Sequence, residues 1–376
     1  MTIQGKYNSA EIFTDNIDEE SIKQIHSILN NPGFADSQIR IMPDVHAGKG
    51  SVIGFTMTFN NYVAPTIVGV DIGCGMNAYK IGKREIDLKS LDKFIHKAIP
   101  AGKEVRSSPV ENPLLESEDL KRLVKKVADD DYDRVARSIG SLGGGNHFIE
   151  LNRDTEDNIW LATHSGSRNL GLKVCSYHQN KAKEYIRKKF GGSAAYNNAE
   201  FMPMNDGGSE YLDDMKLTQE YALQNRYTIC TIILEEFFGE KIKNCESIIS
   251  VHNYINFKDK IVRKGAISAH DGERIIIPLN MRDGSIVARG KGNKNWNYSA
   301  PHGAGRILSR SGAKKTVSLE EYIKTMKSVY TSSVNKSTID ESPMAYKPSK
   351  EIIRLIKDTA DIDFVMKPIY NFKSCE

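Results

Sequence analysis

Two acidic side chains stand three positions apart on one glycine-laced turn, Asp71 and Cys74 in Val70-Asp-Ile-Gly-Cys-Gly-Met76. A carboxylate and a thiolate held together form one corner of a metal site, and a thiolate can bridge two cations. Glycines at 69, 73 and 75 let the backbone take positive φ and come close to whatever binds there. The same pair also reads as a core cysteine beside a turn aspartate, because free cysteine is among the most buried side chains. Three histidines shift the balance toward a metal. His147, His164 and His252 each lie at the end of an apolar β-like run or in the glycine-rich approach to one, as does His46. Side chains at strand ends converge on one rim of a sheet. Asp71, Cys74, His147, His164 and His252 exceed a single tetrahedral site and suit two cations that share Cys74. Thiolate and imidazole favour zinc over manganese by softness, so the donors alone do not name the metal.

His302 has a different setting, Ala300-Pro-His-Gly-Ala-Gly-Arg306. The absent side chains at 303 and 305 open a backbone cradle for phosphate, and Arg306 and Arg310 supply positive charge. A neutral imidazole beside a bound triphosphate is a nucleophile that forms a phosphoramidate. The plainer alternative is a tight turn with surface arginines. His26, His96 and His178 fall in helical segments, and His270 in a turn.

The elements that must position these residues can be read from periodicity. Helices are expected at about 18–30, 90–98, 116–139, 169–190 and 209–238, with tail helices near 318–329 and 349–357. Ile67, Val68 and Val70 read as a buried strand that ends in the Asp71 turn. Further strands are expected from Ile39 toward His46, at 51–59, 78–81, 148–151, 158–163 and 247–251, and in the stretch running to Ile286. Gly191–Gly208 reads as a polar loop. No repeat or linker is visible, which predicts one domain over residues 1–376.

Composition bounds the class. With 39% hydrophobic and 27% charged residues, the 376-residue chain is globular. A formal charge of +4 does not announce a polyanion partner, so any such site must be a local patch. No apolar run approaches the ~20 residues of a membrane span. The five cysteines (74, 175, 230, 245 and 375) are irregularly spaced, and the N-terminus lacks a signal-peptide pattern. Both features predict a reducing compartment, the cytoplasm.

Asp71-Ile-Gly-Cys-Gly-Met, Gly143-Gly-Gly-Asn-His-Phe-Ile-Glu, His164-Ser-Gly-Ser-Arg, His252-Asn-Tyr, Arg263-Lys-Gly-Ala and His302-Gly-Ala-Gly-Arg, followed by Ala345-Tyr-Lys and Lys373, together resemble the RtcB family of RNA ligases. The motifs keep the family's order from about residue 38 to 373. The resemblance implies an α+β domain of stacked, mostly antiparallel sheets flanked by helices, with a two-metal cleft. It implies a GTP- and Mn²⁺-dependent ligase of RNA repair or tRNA splicing. Such an enzyme joins RNA ending in a 2′,3′-cyclic phosphate or 3′-phosphate to RNA with a 5′-hydroxyl. Asp71, Cys74 and His147 would hold one ion, and Cys74, His164 and His252 the other, with His302 guanylylated. The guanosine site would draw on Asn146, His147, Phe148, Glu150, His252, Asn253, Pro278, Leu279, Asn280, Met281, Ser285, His302, Gly303, Ala304, Gly305, Tyr346 and Lys373. Arg168, Lys264 and Arg310 would meet RNA phosphates. No motif specifies an activating protein partner.

One loop departs from the family. Its common Pro-Gly-Ser-Met-Gly is here Pro278-Leu-Asn-Met-Arg-Asp-Gly284, so Leu279 is expected to restrict φ and to crowd the nucleotide. Two other classes fit part of the pattern: a dinuclear phosphoesterase acting on RNA ends with the same five ligands, and a non-catalytic RNA-binding homologue.

Overall fold

The structure is a computed structural model that describes residues 1–192, 196 and 199–374. Cys375 and part of the expected 191–208 loop lie outside the described residues. Two antiparallel-rich sheets carry the fold. The larger has seven strands in the order Ser247–Val251, Gly75–Gly82, Ile159–Ser165, Phe148–Arg153, Ala360–Phe372, Gly284–Gly290 and Arg274–Asn280. All of its pairings are antiparallel. The second has six strands, Thr2–Gln4, Ser9–Ile12, Ile39–His46, Ile53–Thr58, Ile261–Lys264 and Asn253–Asn256, and one of its pairings is parallel.

Each sheet buries a face against helices. Ile25, Ile28 and Leu29 of Glu19–Leu29 join strand residues Ile39, Ile41 and Phe55 in one core. Leu91 and Ile95 of Leu88–Ala98 pack with Ile149, Leu151, Leu161, Tyr370 and Phe372 in another. The helix Ser209–Ile232 serves both, placing Tyr211, Met215 and Tyr221 in the first core and Ile229 and Ile232 in the second.

His252 is the lone residue between Ser247–Val251, which pairs with Gly75–Gly82, and Asn253–Asn256, which pairs with Ile261–Lys264. The chain therefore passes from one sheet to the other at a candidate ligand.

The α+β reading with stacked sheets holds, with local corrections. The expected strand at 67–70 is a short helix, Pro65–Val68, and Val70 is exposed. Proline fits the first helical turn, Gly69 at φ +90 ends it, and a short apolar run does not by itself distinguish strand from helix. The expected 116–139 helix is two, Glu118–Val127 and Tyr132–Ser138. Asp129 and Asp130 adopt positive φ between them, and Asp131 caps the second through Arg134 N–H. The 13-residue strand Ala360–Phe372 was not anticipated. Pro368 interrupts its pattern and sits at a register shift against Phe148–Arg153, a position where a sheet tolerates proline.

Candidate active site

The Asp71–Cys74 turn is fixed from three sides. Gly73 takes φ +71 and donates its N–H to Asn253 O at 2.7 Å. A Cβ at Gly73 would lie 2.8 Å from Ala222 Cβ and 3.0 Å from Gln219 Cα of the helix Ser209–Ile232, so the close approach requires glycine. His252 N–H donates to Cys74 O at 2.9 Å.

One turn of that helix then staples the surrounding loops. The fully buried Arg226 donates through Nη1 to Gly73 O at 2.6 Å and Ser165 O at 2.8 Å, and through Nε to Asn77 Oδ1 at 2.9 Å. Asn225 Oδ1 accepts from Gly140 N–H at 2.9 Å and Ser141 N–H at 3.2 Å, while its Nδ2 donates to Gly166 O at 3.1 Å. Hydrogen bonds from a charged donor are worth about 1.5–3 kcal/mol each, so Arg226 is a principal brace of the site.

Strand register supplies the rest. His164 stands opposite both Met76 and Phe148, and His147 immediately precedes Phe148–Arg153. Cys74 Sγ lies 3.3 Å from His147 Nε2 and 3.2 Å from His164 Nε2. His147 Nε2 is 2.9 Å from Asp71 Oδ2, and the Nε2 atoms of His164 and His252 are 3.2 Å apart. Two sets of ligand atoms result, Asp71/Cys74/His147 and Cys74/His164/His252, each with all atoms within 4.8 Å of one another and both including Cys74.

This donor set fits metal. His164 Nδ1 lies 3.2 Å from Asn146 O; donation there leaves its Nε2 lone pair facing the cluster. Burial, reinforced by Asp71, pushes the Cys74 thiol well above its ordinary range. A thiol so placed ionises when a cation lies beside it. Burial opposes charge on Asp71 as well, yet the neighbouring His147 ring holds its carboxyl at about 2. Burial and adjacent imidazoles push His164 and His252 well down, keeping both neutral as ligands must be.

A cleft of about 840 Å³ opens over the cluster and is lined by Asp71, Cys74, His164, His252 and His302, among others. His302 follows the strand Ser299–Pro301, and its ring centroid lies 4.7 Å from that of His252. Its Nδ1 is 2.6 Å from Oδ2 of the fully buried Asp44, and its main-chain N–H donates to the same oxygen at 3.2 Å. With Nδ1–H held by a carboxylate, the lone pair is on Nε2. A Cβ at Gly305 would collide with Asp44 O, so the loop lies directly against this aspartate.

A sequence model of the family described as tRNA-splicing ligase RtcB matches residues 24–374. The chain belongs to the RtcB family. The RNA-splicing ligases RtcB1 and RtcB of two Escherichia coli strains are each 30% identical to it over 94% of both chains. The tRNA-splicing ligase RtcB of Methanococcus maripaludis is 27% identical over 96% of this chain and 92% of its own.

Of the guanosine-site candidates taken from RtcB motifs, Asn146, Phe148, Glu150, His252, Asn253, Pro278, Leu279, Asn280, Met281, His302 to Gly305, Tyr346 and Lys373 line the cleft. Ser285 does not: it is fully buried behind the cleft, paired in the sheet between Pro278 and Met366. His147 does not line the cleft but belongs to the candidate ligand set with Asp71 and Cys74, which do. Glu150 is buried, accepts from Asn371 Nδ2 at 2.8 Å, and is pushed up to about 7 by burial, which outweighs that bond and the Lys373 charge. Lys373 Nζ lies 5.2 Å above the Phe148 ring and donates to Asn146 O at 3.1 Å.

The divergent RtcB loop carries its leucine on a strand. Leu279 does not adopt positive φ; it is buried with Ile277, Ile286 and Ala304, and only part of it reaches the cleft. Asn280 is engaged within its own hairpin, accepting from Arg282 and Asp283 N–H at 3.0 and 2.9 Å. Leucine is tolerated because a strand, not a glycine turn, occupies position 279.

The three expected RNA contacts separate. Arg310 lines the cleft and keeps a half-exposed side chain, paired with Asp340 at 2.8 Å. Arg168 is turned to the protein, donating to Gly102 O at 2.5 Å and Ser141 Oγ at 3.1 Å. Lys264 is buried, bonds Lys49 O, and is pushed down to about 8 by burial. Neither of these two lines the cleft.

Asp44, Arg226, Glu341 and Asn371 carry parts of the site that the motifs did not assign. Asp44 lies two residues before the end of the strand Ile39–His46, and Arg226 is a lone cation on an apolar helix face; both could have been flagged. Glu341 and Asn371 carry no sequence signal.

Proposed function

We propose that this RtcB-family chain is a GTP-dependent ligase that joins RNA ending in a 3′-phosphate, or a 2′,3′-cyclic phosphate once opened by water, to RNA bearing a 5′-hydroxyl. The observation that carries this reading is His302, held by Asp44 with Nε2 as its lone-pair nitrogen, in the cleft beside a thiolate-sharing ligand cluster. An RNA-binding module has no use for a tautomer-fixed imidazole placed there, and a hydrolase that used it would release phosphate without retaining nucleotide on the protein.

Two Mn²⁺ ions, on Asp71, Cys74 and His147 and on Cys74, His164 and His252, would neutralise phosphate oxygens as Lewis acids. His302 Nε2 attacks the α-phosphorus of GTP; a P–N bond forms and pyrophosphate leaves with the broken P–O bond. Asp44 stabilises the positive charge that develops on the ring. An oxygen of the RNA 3′-phosphate then displaces the imidazole and gives RNA-3′-pp-5′-G. The 5′-hydroxyl attacks the RNA phosphorus, a phosphodiester forms, and GMP departs. Glu150 accepts from guanine N1–H and the 2-amino group, Lys373 donates to O6, and Phe148 and Tyr346 flank the base. Adenine reverses those donors and acceptors and leaves buried groups unpaired.

Incubation with Mn²⁺ and α-labelled GTP, then denaturation, is expected to leave acid-labile, alkali-stable label on the protein, with none on His302→Ala. Label retained by a folded His302→Ala, or end-joining by it, would name a different nucleophile. Phosphate release without label would identify an esterase.

A further inference from the structure

Behind the proposed base site lies a carboxylate with no assigned role. Glu341 is 2% exposed yet lines the cleft, at the end of the 3₁₀ turn Lys336–Glu341. Four donors from three stretches of chain converge on it. Tyr346 Oη donates to Oε2 at 2.7 Å and Lys373 Nζ to the same oxygen at 3.2 Å. Arg306 Nη1 and Arg310 Nη1 each approach Oε1 at 3.2 Å. The Arg306 guanidinium also lies 5.2 Å from the centre of the Tyr346 ring and donates to Asp340 O at 2.6 Å.

A buried ion cluster of this kind is expensive to desolvate and contributes little net stability compared with apolar packing. Its geometry, however, is specific. One oxygen holds the phenol of the proposed stacking residue and the ammonium of the proposed O6 donor; the other holds the two arginines that follow the His302 loop. Lys373 has no other side-chain acceptor among the described residues, only Asn146 O. Without Glu341, a long flexible lysine and a tyrosine would have to be ordered by the nucleotide itself.

We propose that Glu341 is the positioning residue of the guanine site, orienting Lys373 and Tyr346 before nucleotide arrives and thereby setting the preference for guanine over adenine. This rests on the guanosine reading above. It predicts that base discrimination depends on a residue that makes no contact with the base.

The test is equilibrium binding, with Mn²⁺ present, of the α,β-methylene analogues of GTP and ATP, which resist attack at the α-phosphorus. Glu341→Gln should lower the GTP/ATP affinity ratio about tenfold, as should Lys373→Met. The double variant should lose scarcely more than either alone, because both changes remove one oriented ammonium. Glu341→Asp keeps the charge and fold but draws the carboxylate back from Lys373 and Tyr346, and should also lower the ratio; it decides the matter if Glu341→Gln does not fold. An unchanged ratio in folded Glu341→Asp, or fully additive losses in the double variant, would overturn the positioning role while leaving the guanosine site intact. Equal affinity of the wild-type protein for the two analogues would overturn the guanosine reading and this inference with it.

Discussion

Replacing Asp44 tests how much of the proposed nucleophile's reactivity comes from one buried charge. Oδ2 of Asp44 accepts both from the main-chain N–H of His302 and from Nδ1–H, at 3.2 and 2.6 Å, while Oδ1 has no hydrogen-bond partner among the described residues. In Asp44→Asn the two donors select the orientation with the amide oxygen at the Oδ2 position, so the tautomer survives and only the charge is lost. A charge-assisted hydrogen bond is worth about 1.5–3 kcal/mol against about 0.5–1.5 for a neutral one. The differential stabilisation of the developing imidazolium is therefore about 1–2 kcal/mol, a roughly five- to thirtyfold slower guanylylation. Asp44→Ala removes the acceptor, frees the tautomer and leaves two donors unpaired; about 2–4 kcal/mol, or roughly thirty- to a thousandfold, is expected. Single-turnover labelling with α-labelled GTP at saturating Mn²⁺ reads both rates directly, and circular dichroism confirms that the variants fold. Labelling of Asp44→Asn at the wild-type rate would show that the charge plays no part, and parity between Asn and Ala would show that orientation plays none.

Cys74 belongs to both ligand sets, so Cys74→Ala should lose both metal ions by elemental analysis, whereas His147→Ala should mainly deplete one; near-full occupancy in Cys74→Ala would disprove sharing. Glu150 is raised to about 7 by burial and must be ionised to accept from guanine. Discrimination between the GTP and ATP analogues should therefore grow from pH 6 to pH 8, and Glu150→Gln should flatten that rise in equilibrium binding. Burial opposes the charge of Glu341, but Lys373, Arg310 and Arg306 hold its carboxyl at about 2, below an ordinary value of 4.5. A depressed acid contributes stability that is complete above its unfolded value and is lost as pH falls through its folded one. Urea midpoints should accordingly drop between pH 5 and pH 3, and Glu341→Gln should show a shallower drop from a lower starting point.

The candidate ligands were legible in the sequence because each lies on a glycine-laced turn or at a β-strand end, settings that have both a chemical and a conformational signature. Asp71, Cys74, His147, His164 and His252 come together as expected, and His302 opens onto the same cleft. What escaped was the support. Arg226 and Asn225 act through main-chain carbonyls and amides, which carry no residue identity and cannot be seen until the helix is laid against the loops. Ser285 faces away from the cleft for a related reason: alternation along a hairpin sends neighbouring side chains to opposite faces, and the motif does not record which face meets the cleft. Arg168 and Lys264 carry the right charge for phosphate, but carbonyl partners engage both, and Lys264 is buried as well. At 65–68, local backbone chemistry at Pro65 and Gly69 overrode an apolar run that read as strand.

The strand Ala360–Phe372 lies in the interior of the seven-stranded sheet, between Phe148–Arg153 and Gly284–Gly290. Its Asn371 meets Glu150 across a sequence separation of 221 residues. A ribosome making this protein therefore exposes two unsatisfied sheet edges until residues 360–372 emerge from the exit tunnel. Such edges are templates for pairing with other chains, and long-range closure of this kind is intrinsically slow. Synthesis thus passes through a long interval in which the five candidate metal ligands already exist but Asn371 and Lys373 do not. A nascent chain stalled before residue 360 should need a chaperone to shield those edges, and would lack two residues of the proposed base site.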